Sequence, residues 1–191
     1  MATKVGIIGS GNVGSAIHRG FTKAGIESRV SNEQNVNEIA AGADVIVLAV
    51  PFGAIDNVVK QIGAVSNGKI VIDATNALTA EMQLAIGYNT SGAEELQKKL
   101  SKAKVVKAFN TIFAQHMETG KLNGQTLTAF AASDDEIARN KVLELLRAIG
   151  FDAVNAGPLQ NARQLEALGY FNIQLGYMLG NGVTSGFKYI R

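Results

Sequence analysis

Residues 4–14 read KVGIIGSGNVG, an apolar run that leads directly into three glycines at the spacing G-x-G-x-x-G. The apolar run predicts a strand, and the periodic pattern that begins at Asn12 predicts a helix. Each glycine meets a separate need: Gly9 makes a tight turn, Gly11 lets the backbone approach a pyrophosphate, and Gly14 lets the helix pack on the sheet. A glycine turn between a strand and a helix predicts a dinucleotide-binding loop, whereas a purely structural turn is the alternative.

The same loop supplies the first candidate cofactor contacts. Amide groups at the start of the helix face the phosphate position, and the helix dipole favours negative charge there. The residues that we expect to contact the pyrophosphate are Gly9, Ser10, Gly11, Asn12, Val13 and Gly14.

Short apolar runs alternate with helical patterns along the rest of the chain, and near-continuous apolar runs are typical of strands buried on both faces of a parallel sheet. The predicted strands are residues 4–9, 26–30, 44–50, 69–73, 104–108, 125–132, 151–155 and 186–190. The predicted helices are residues 12–24, 36–41, 56–62, 93–100, 134–149 and 159–179, with Ser91 as the cap of the fourth. This alternation predicts an α/β fold, doubly wound around a mostly parallel sheet.

Composition narrows the class of protein. The 191 residues are 47% hydrophobic and 18% charged, which is enough apolar material for a core, and we expect one domain over residues 1–191.

Lys and Arg total 18 against 16 acidic residues, so nothing indicates nucleic acid or a membrane surface as partner. No cysteine is present and the histidines are only His18 and His116, which excludes disulfides, thiol catalysis and Cys- or His-rich metal sites. We expect no metal and a cytoplasmic location, since no targeting segment or membrane span is visible.

The carboxyl ends of the other predicted strands should line the same cleft, because ligands of open α/β sheets bind there. The candidates follow three strands and are Ala49, Val50, Pro51, Phe52, Asn76, Asn110 and Thr111. The polar side chains of Asn76, Asn110 and Thr111 can orient a nicotinamide ring through hydrogen bonds. A turn-forming role explains each of them equally well taken alone, but three such ends in succession favour binding.

The end of the second predicted strand bears on the type of dinucleotide. Ser31 and Asn32 can donate hydrogen bonds to the 2′-phosphate of NADP, and Arg29 is near them. Glu33 can instead accept a hydrogen bond from the ribose hydroxyl of NAD, or simply be a solvated loop residue. The residues alone leave NADP and NAD both open.

Side chains suited to acid–base catalysis are scarce. His116 is a candidate general acid, although a lone histidine near an apolar stretch is more often a packed residue. His18 is expected on a solvated helix face, and Arg163 with Glu166 is expected to form a surface pair. Ketone reduction needs a positioned proton donor, whereas hydride transfer to a flavin-like ring does not. We therefore assign no catalytic side chain.

Five segments in order along the chain carry a more specific pattern: GSGNVGSAI, VLAVP, IDATNAL, EELQKKL with VVKAFNTIFA, and NAGPLQNARQLEAL. Together they resemble the deazaflavin (coenzyme factor 420)-dependent NADP oxidoreductase family and its small bacterial dinucleotide-binding relatives. The resemblance covers essentially the whole chain. It implies a compact Rossmann-type fold with a short C-terminal helical extension, often dimeric, that transfers hydride between NADPH and a deazaflavin. A related domain of membrane ferric reductases passes electrons from NADPH toward flavin.

Residue by residue, the resemblance places the pyrophosphate loop at residues 9–14 and the 2′-phosphate loop at Ser31 and Asn32. The sequence departs from the family at two positions. Glu33 stands where a basic residue is expected, and Ala77 replaces the proline that follows Asn76. Plain flavin or another small molecule is a credible substitute for the deazaflavin.

The first hypothesis is an NADP(H)-dependent oxidoreductase that moves hydride between nicotinamide and a deazaflavin or flavin, a small-molecule redox substrate. In it the ring pocket is shaped by Phe52, Asn76, Phe109, Asn110 and Thr111. The alternative is a non-catalytic NADP(H) redox sensor or partner subunit. A weaker one is an NAD-dependent reductase of a small carbonyl compound that uses His116 or a lysine. The resemblance also leads us to expect a homodimer. The predicted elements divide the chain into a core at residues 1–155 and a C-terminal helix and edge strand at 156–191.

Overall fold

Strand β1 (Val5–Ile8) forms from the apolar run that precedes the glycine loop, in a computed structural model that describes residues 3–191. Within that range β1 lies inside a seven-stranded sheet, between β2 (Ser28–Ser31) and β3 (Val45–Leu48), and pairs in parallel with both. The chain therefore passes from β2 across β1 to reach β3. Such a reversal of strand order opens a crevice at the carboxyl ends of the strands.

The other strands are β4 (Ile70–Asp73), β5 (Lys104–Ala108), β6 (Lys121–Leu122), β7 (Gln125–Thr126), β8 (Thr128–Ala132) and β9 (Asp152–Asn155). The order across the sheet is β2-β1-β3-β4-β5-β8-β9, and only the pairing of β5 with β8 is antiparallel in it. Strands β6 and β7 form a separate hairpin. The predicted doubly wound, mostly parallel α/β fold is confirmed.

The α-helices are α1 (Asn12–Lys23), α2 (Val36–Ala41), α3 (Ile55–Ile62), α4 (Gly92–Lys99), α5 (Ala114–Met117), α6 (Glu136–Ile149) and α7 (Ala162–Ile173). Helices α1, α5 and α6 pack their buried residues on one face of the sheet, and α2, α3 and α4 pack on the other. The first turn of α7 joins the second of these cores through Ala162. The predicted C-terminal helical extension is thus present. No helix of residues 3–191 is both long and apolar enough to cross a membrane.

Two predicted elements are divided in the structure. The single strand expected at residues 125–132 is divided, because a hairpin turn places β7 against β6 before the buried Leu127 leads into β8. The last helix begins with a 3-10 turn at Leu159–Asn161, and π-helical turns at Gln174–Met178 follow α7.

The edge strand predicted at residues 186–190 is wrong. The Thr128 amide donates to the Phe187 carbonyl at 3.0 Å, but the Tyr189 amide donates to the Thr128 side chain instead of to a strand carbonyl. A regular ladder therefore does not continue. Packing also constrains this segment, since a Cβ at Gly186 would lie 2.8 Å from the Leu127 side chain.

Side-chain caps fix the starts of two helices. Ser91 accepts a hydrogen bond from the Glu94 amide at 3.1 Å, which confirms it as the cap of α4. Asp135 accepts from the Ala138 amide at 2.8 Å at the start of α6. The Ala138 amide, helped by Lys104, holds the pKa of Asp135 below its ordinary value.

We expect Asp135→Ala to lower the free energy of unfolding by about 1 kcal/mol at pH 7, because the cap is lost. The lowered pKa means that this stabilisation is present above the unfolded-state pKa of about 3.9 and is lost as the pH falls through the folded-state value. Urea unfolding at pH 7 and pH 3 measures both effects. The exposed Glu144→Ala on the same helix is the control. A difference that grows on acidification contradicts this assignment.

Candidate functional site

The three glycines of the loop meet different constraints in the structure. Gly9 has φ 115°, and a Cβ there would overlap the carbonyl oxygen of Ala49 at the end of β3. A Cβ at Gly14 would overlap the carbonyl oxygen of Gly9, which shows how closely α1 packs on the loop. At Gly11, by contrast, a Cβ would meet no atom of residues 3–191 within 4 Å. The chain itself therefore leaves a cradle at Gly11 for backbone contact with a ligand.

The first turn of α1 is open to an anion. Its N-cap is Gly11, which has no side chain to cap the helix, and its first turn carries no acidic residue. Ser15 donates from its hydroxyl to the Ser10 carbonyl at 3.0 Å and so braces the loop. Uncapped amides at a helix N-terminus bind phosphate well. The residues present therefore fit the pyrophosphate of a dinucleotide.

A cavity of about 530 Å³ extends from the start of α1 to α7. This volume falls within the range of small-molecule sites, roughly 300–1,000 Å³. The rings of Phe113 and Tyr177 contribute to one wall, edge to face at 5.8 Å between centroids. The full lining comprises Asn12, Val13, Ser15, Arg19, Asn76, Met82, Asn110, Ile112, Phe113, Ala114, Gln115, Gly169, Asn172, Ile173 and Tyr177.

Two asparagines from neighbouring strand ends meet at this cavity. The side-chain amide of Asn110 donates to Asn76 Oδ1 at 3.0 Å, and the side-chain amide of Asn76 donates to the main-chain carbonyl of Asn110 at 3.0 Å. Asn110 also donates to the Leu165 carbonyl of α7 at 2.7 Å. The structure thus brings four of the predicted contacts, Asn12, Val13, Asn76 and Asn110, to one cavity.

Helix α7 approaches this asparagine pair through a glycine. A Cβ at Gly169 would lie 2.5 Å from Asn76 Oδ1 and 2.8 Å from both the Asn110 amide nitrogen and carbonyl oxygen. No real Cβ occupies such a position, so the glycine sets the distance between α7 and the strand ends.

We expect Gly169→Ala to lower the free energy of unfolding by about 1–3 kcal/mol, since the added methyl group must displace α7 or the pair. Thermal unfolding measures this loss. Gln164→Ala, at an exposed position of the same helix, should change stability by less than about 0.5 kcal/mol. Equal stability of the two variants would show that the contact is loose.

Two aromatic residues predicted for the ring pocket lie elsewhere. Phe109 is 1% exposed and packs edge to face against Phe21 and Phe151 in the core, with φ 67°. The prediction that Phe109 shapes the pocket is therefore wrong. Phe52 packs beside Gly92 at the start of α4 and lines a smaller cavity of about 140 Å³. It does not line the large cavity.

The remaining strand-end candidates surround the crevice. Ala49 and Val50 are half-buried beside Gly9 at the β1–β3 reversal, and Pro51 after them is exposed. Thr111 is buried, and its carbonyl accepts from the Asn172 amide at 3.2 Å. Its contribution is therefore to hold a lining side chain in place.

The loop after β2 presents a different set of groups from the one expected. The Ser31 hydroxyl is buried and has no hydrogen-bond partner among residues 3–191. Asn32 Oδ1 accepts from the amides of Gln34 and Asn35 at 2.9 and 3.2 Å, which folds the loop. Asn32 and Glu33 are exposed, whereas Arg29 is paired with Glu38 at 3.1 Å. Of the two residues predicted to donate hydrogen bonds to the 2′-phosphate, Asn32 is accessible to solvent in this conformation and Ser31 is not.

A buried ionic cluster was missed by sequence reasoning. Lys107 Nζ lies 2.9 Å from both Asp73 Oδ2 and Glu166 Oε1 and donates to the Thr75 carbonyl at 2.6 Å. Burial alone would lower the pKa of Lys107, and the two carboxylates overcome that effect and raise it above its ordinary value. A lysine and an aspartate within two apolar runs, VVKAF and VIDAT, were the available signal.

The surface pair predicted between Arg163 and Glu166 is wrong, because each has another partner. Arg163 forms a bidentate ion pair with Glu94 at 2.7 and 2.9 Å. The Arg163 guanidinium lowers the pKa of the Glu94 carboxyl. Glu166 turns inward to Lys107.

Acid–base groups are sparse around the cavity. His116 is buried off the cavity, with Nε2 unpaired among the residues described, and His18 Nδ1 lies 2.8 Å from the Ser28 hydroxyl. Of the described residues that line the cavity, only Arg19 and Tyr177 carry ionisable side chains. Arg19 Nε is held by Glu118 at 2.7 Å. Within residues 3–191 no three His, Cys, Asp or Glu side chains are grouped as metal ligands.

Comparison with known proteins shows which family this chain is similar to. The model of a family described as "NADP oxidoreductase coenzyme F420-dependent" matches residues 4–41 and 29–77. Metalloreductase STEAP3 of Rattus norvegicus is 28% identical over 87% of this chain, and the F420-dependent NADP reductase of Methanocaldococcus jannaschii is 29% identical over 75%. The chain spans 36% of the first relative and 66% of the second.

A solved structure shows the same fold over the full length. It is a protein of Arthrobacter sp. FB24 with the provisional name of an F420-dependent NADP-reductase. It superposes with a TM-score of 0.91 at 24% identity and covers 100% of both chains.

Proposed function

We propose that the chain is an NADP(H)-dependent oxidoreductase of the coenzyme F420-dependent type, because the model of that family matches it over residues 4–41 and 29–77. Its proposed reaction is hydride transfer between nicotinamide and a small-molecule acceptor of the deazaflavin or flavin type. We attribute the activity of its longer relatives to this chain only as part of this proposal.

One observation supports the proposal most strongly. The cavity joins the open start of α1 to an amide pair and an aromatic wall, and Arg19 and Tyr177 are the only titratable residues in its described lining. Reduction of a carbonyl requires a placed proton donor, but neither His116 nor Lys107 lines this cavity, and the Tyr177 side chain that does so is 61% exposed. Hydride transfer between two rings requires only that they be held about 3–3.5 Å apart.

The chain's own groups have defined roles in this proposal. When bound, NADP(H) supplies or accepts the hydride. The amides of Asn12 and Val13 hold its pyrophosphate, and the Asn76–Asn110 pair orients the nicotinamide end. Phe113 and Tyr177 provide the aromatic wall on one side of the cavity. These steps are binding and orientation, so no side chain has to exchange a proton.

The proposed preference for NADP(H) can be tested at Glu33. If the 2′-phosphate lies beside Asn32, the exposed Glu33 carboxylate repels it, and Glu33→Gln should tighten NADPH binding about threefold. NADH binding should be unchanged. A loss of NADH affinity instead would assign Glu33 to the ribose hydroxyls of NAD. Glu144→Gln, on the exposed side of α6, controls for net charge.

The test of the activity is an anaerobic assay of NADPH oxidation with coenzyme F420, and separately with flavin mononucleotide, as acceptor. We expect oxidation whose rate depends on one of these acceptors. Binding of NADPH without any acceptor-dependent rate would instead support the second candidate, a redox sensor or partner subunit, which the scarcity of acid–base side chains in the described lining suits equally. The expected homodimer stays a prediction.

A further inference from the structure

The Lys107 cluster connects three segments that border the proposed nicotinamide site. Asp73 and Lys107 are directly opposite each other on the paired strands β4 and β5. Glu166 reaches them from α7 and also accepts from the Gly92 and Ala93 amides at 2.9 and 3.2 Å, at the start of α4. The cluster therefore ties α7 and α4 to the sheet at one point.

The same cluster fixes the loop that carries Asn76. Asp73 Oδ1 accepts from both the amide and the hydroxyl of Thr75, at 2.9 and 2.7 Å. Lys107 donates to the Thr75 carbonyl, so both backbone polar groups of Thr75, the residue before Asn76, are held by the cluster. On α7, Leu165 and Gly169 flank Glu166 and contact the asparagine pair directly. The position of the pair thus depends on the cluster from both directions.

Stability alone does not explain this arrangement. One cation and two carboxylates are withdrawn from water, with 0%, 2% and 7% of their side chains exposed. Desolvation of such groups offsets much of their attraction, and apolar residues of similar volume are often at least as stabilising. What apolar residues cannot provide is the fixed direction of these hydrogen bonds.

We propose that Lys107 is a positioning residue for hydride transfer, which with Asp73 and Glu166 holds the Asn76–Asn110 pair and α7 at the geometry that the nicotinamide ring requires. This inference rests on the proposed function. Lys107 does not line the cavity and touches no reacting atom, so it acts through the pair.

The experiment compares two variants with the wild-type chain. Lys107→Met leaves two buried carboxylates without a cation and is therefore expected to be unstable. A triple variant that combines Asp73→Asn, Lys107→Met and Glu166→Gln removes all three charges and keeps the side chains close to their original size. Lys104→Met, on the same strand at a partly exposed position, is the matched control. The readouts are the melting temperature, the Kd of NADPH, the emission of bound NADPH, and kcat with whichever of coenzyme F420 or flavin mononucleotide the wild type reduces.

We expect the triple variant to recover the melting temperature lost in Lys107→Met and to bind NADPH within about threefold of wild type, because the glycine loop is untouched. Its kcat should nevertheless fall at least about tenfold, since a small misplacement of the ring is costly. A triple variant with wild-type kcat would overturn the proposal and leave the cluster a structural role only.

The two proposals fail separately. If the wild type binds NADPH but reduces neither acceptor, the proposed activity fails, and the emission of bound NADPH then reports the ring environment without turnover. An altered emission in the saturated triple variant supports positioning by Lys107. An unchanged emission overturns it.

Discussion

Gly11→Val is expected to weaken NADPH binding about 100-fold, or by ~2.7 kcal/mol, while the chain still folds. The reason is that a side chain at Gly11 meets no atom of the described chain within 4 Å but occupies the cradle at the start of α1. The loss should therefore appear in binding and not in stability. Titration of nicotinamide fluorescence, together with thermal unfolding of the same variant, measures the two quantities.

Two other glycines provide the controls for this result. Gly42→Val, at the end of α2 and near the opposite edge of the sheet, has ordinary space around it and should keep wild-type affinity. Gly14→Val should fail to fold normally, because its side chain would overlap the Gly9 carbonyl. Retained NADPH affinity in folded Gly11→Val would remove the proposed phosphate site from this loop.

Lys107→Met is expected to lower the free energy of unfolding by about 3–5 kcal/mol, because removal of one partner leaves buried carboxylates uncompensated. The raised pKa of Lys107 sets the sign of the pH dependence. Its stabilisation is fully present below the unfolded-state pKa of about 10.4 and is lost as the pH rises through the folded-state value. Urea unfolding at pH 7 measures the main effect.

The control is Lys104→Met on the same strand. Lys104 pairs with Asp135 at 3.1 Å but is 39% exposed, so its loss should cost less than about 1 kcal/mol. If the two lysine variants were equally stable, the Lys107 cluster would not hold the segments together in the way described.

The elements governed by local patterns were predictable. The glycine turn lies between a strand and a helix as expected, and the Ser91 cap follows from its position before a helical pattern. Asn76 and Asn110 were also identifiable, because parallel strands bring their carboxyl ends to one edge of the sheet.

What depends on long-range packing was not predictable. Phe109 follows a strand like a site residue, yet the packing of α1 and the region near β9 encloses its ring. The partners of Lys107 and Glu166 come together only after α7 has docked on the sheet. The burial of Ser31 likewise depends on how the loop after β2 closes through Asn32.

A paired titration of the purified chain with NADPH and NADH, followed by nicotinamide fluorescence, tests the central claim most directly. We expect saturable binding of NADPH at least about tenfold tighter than that of NADH, a difference of ~1.4 kcal/mol or more. Tighter binding of NADH would contradict the assignment of NADP(H). Failure of both to bind would contradict the dinucleotide site itself.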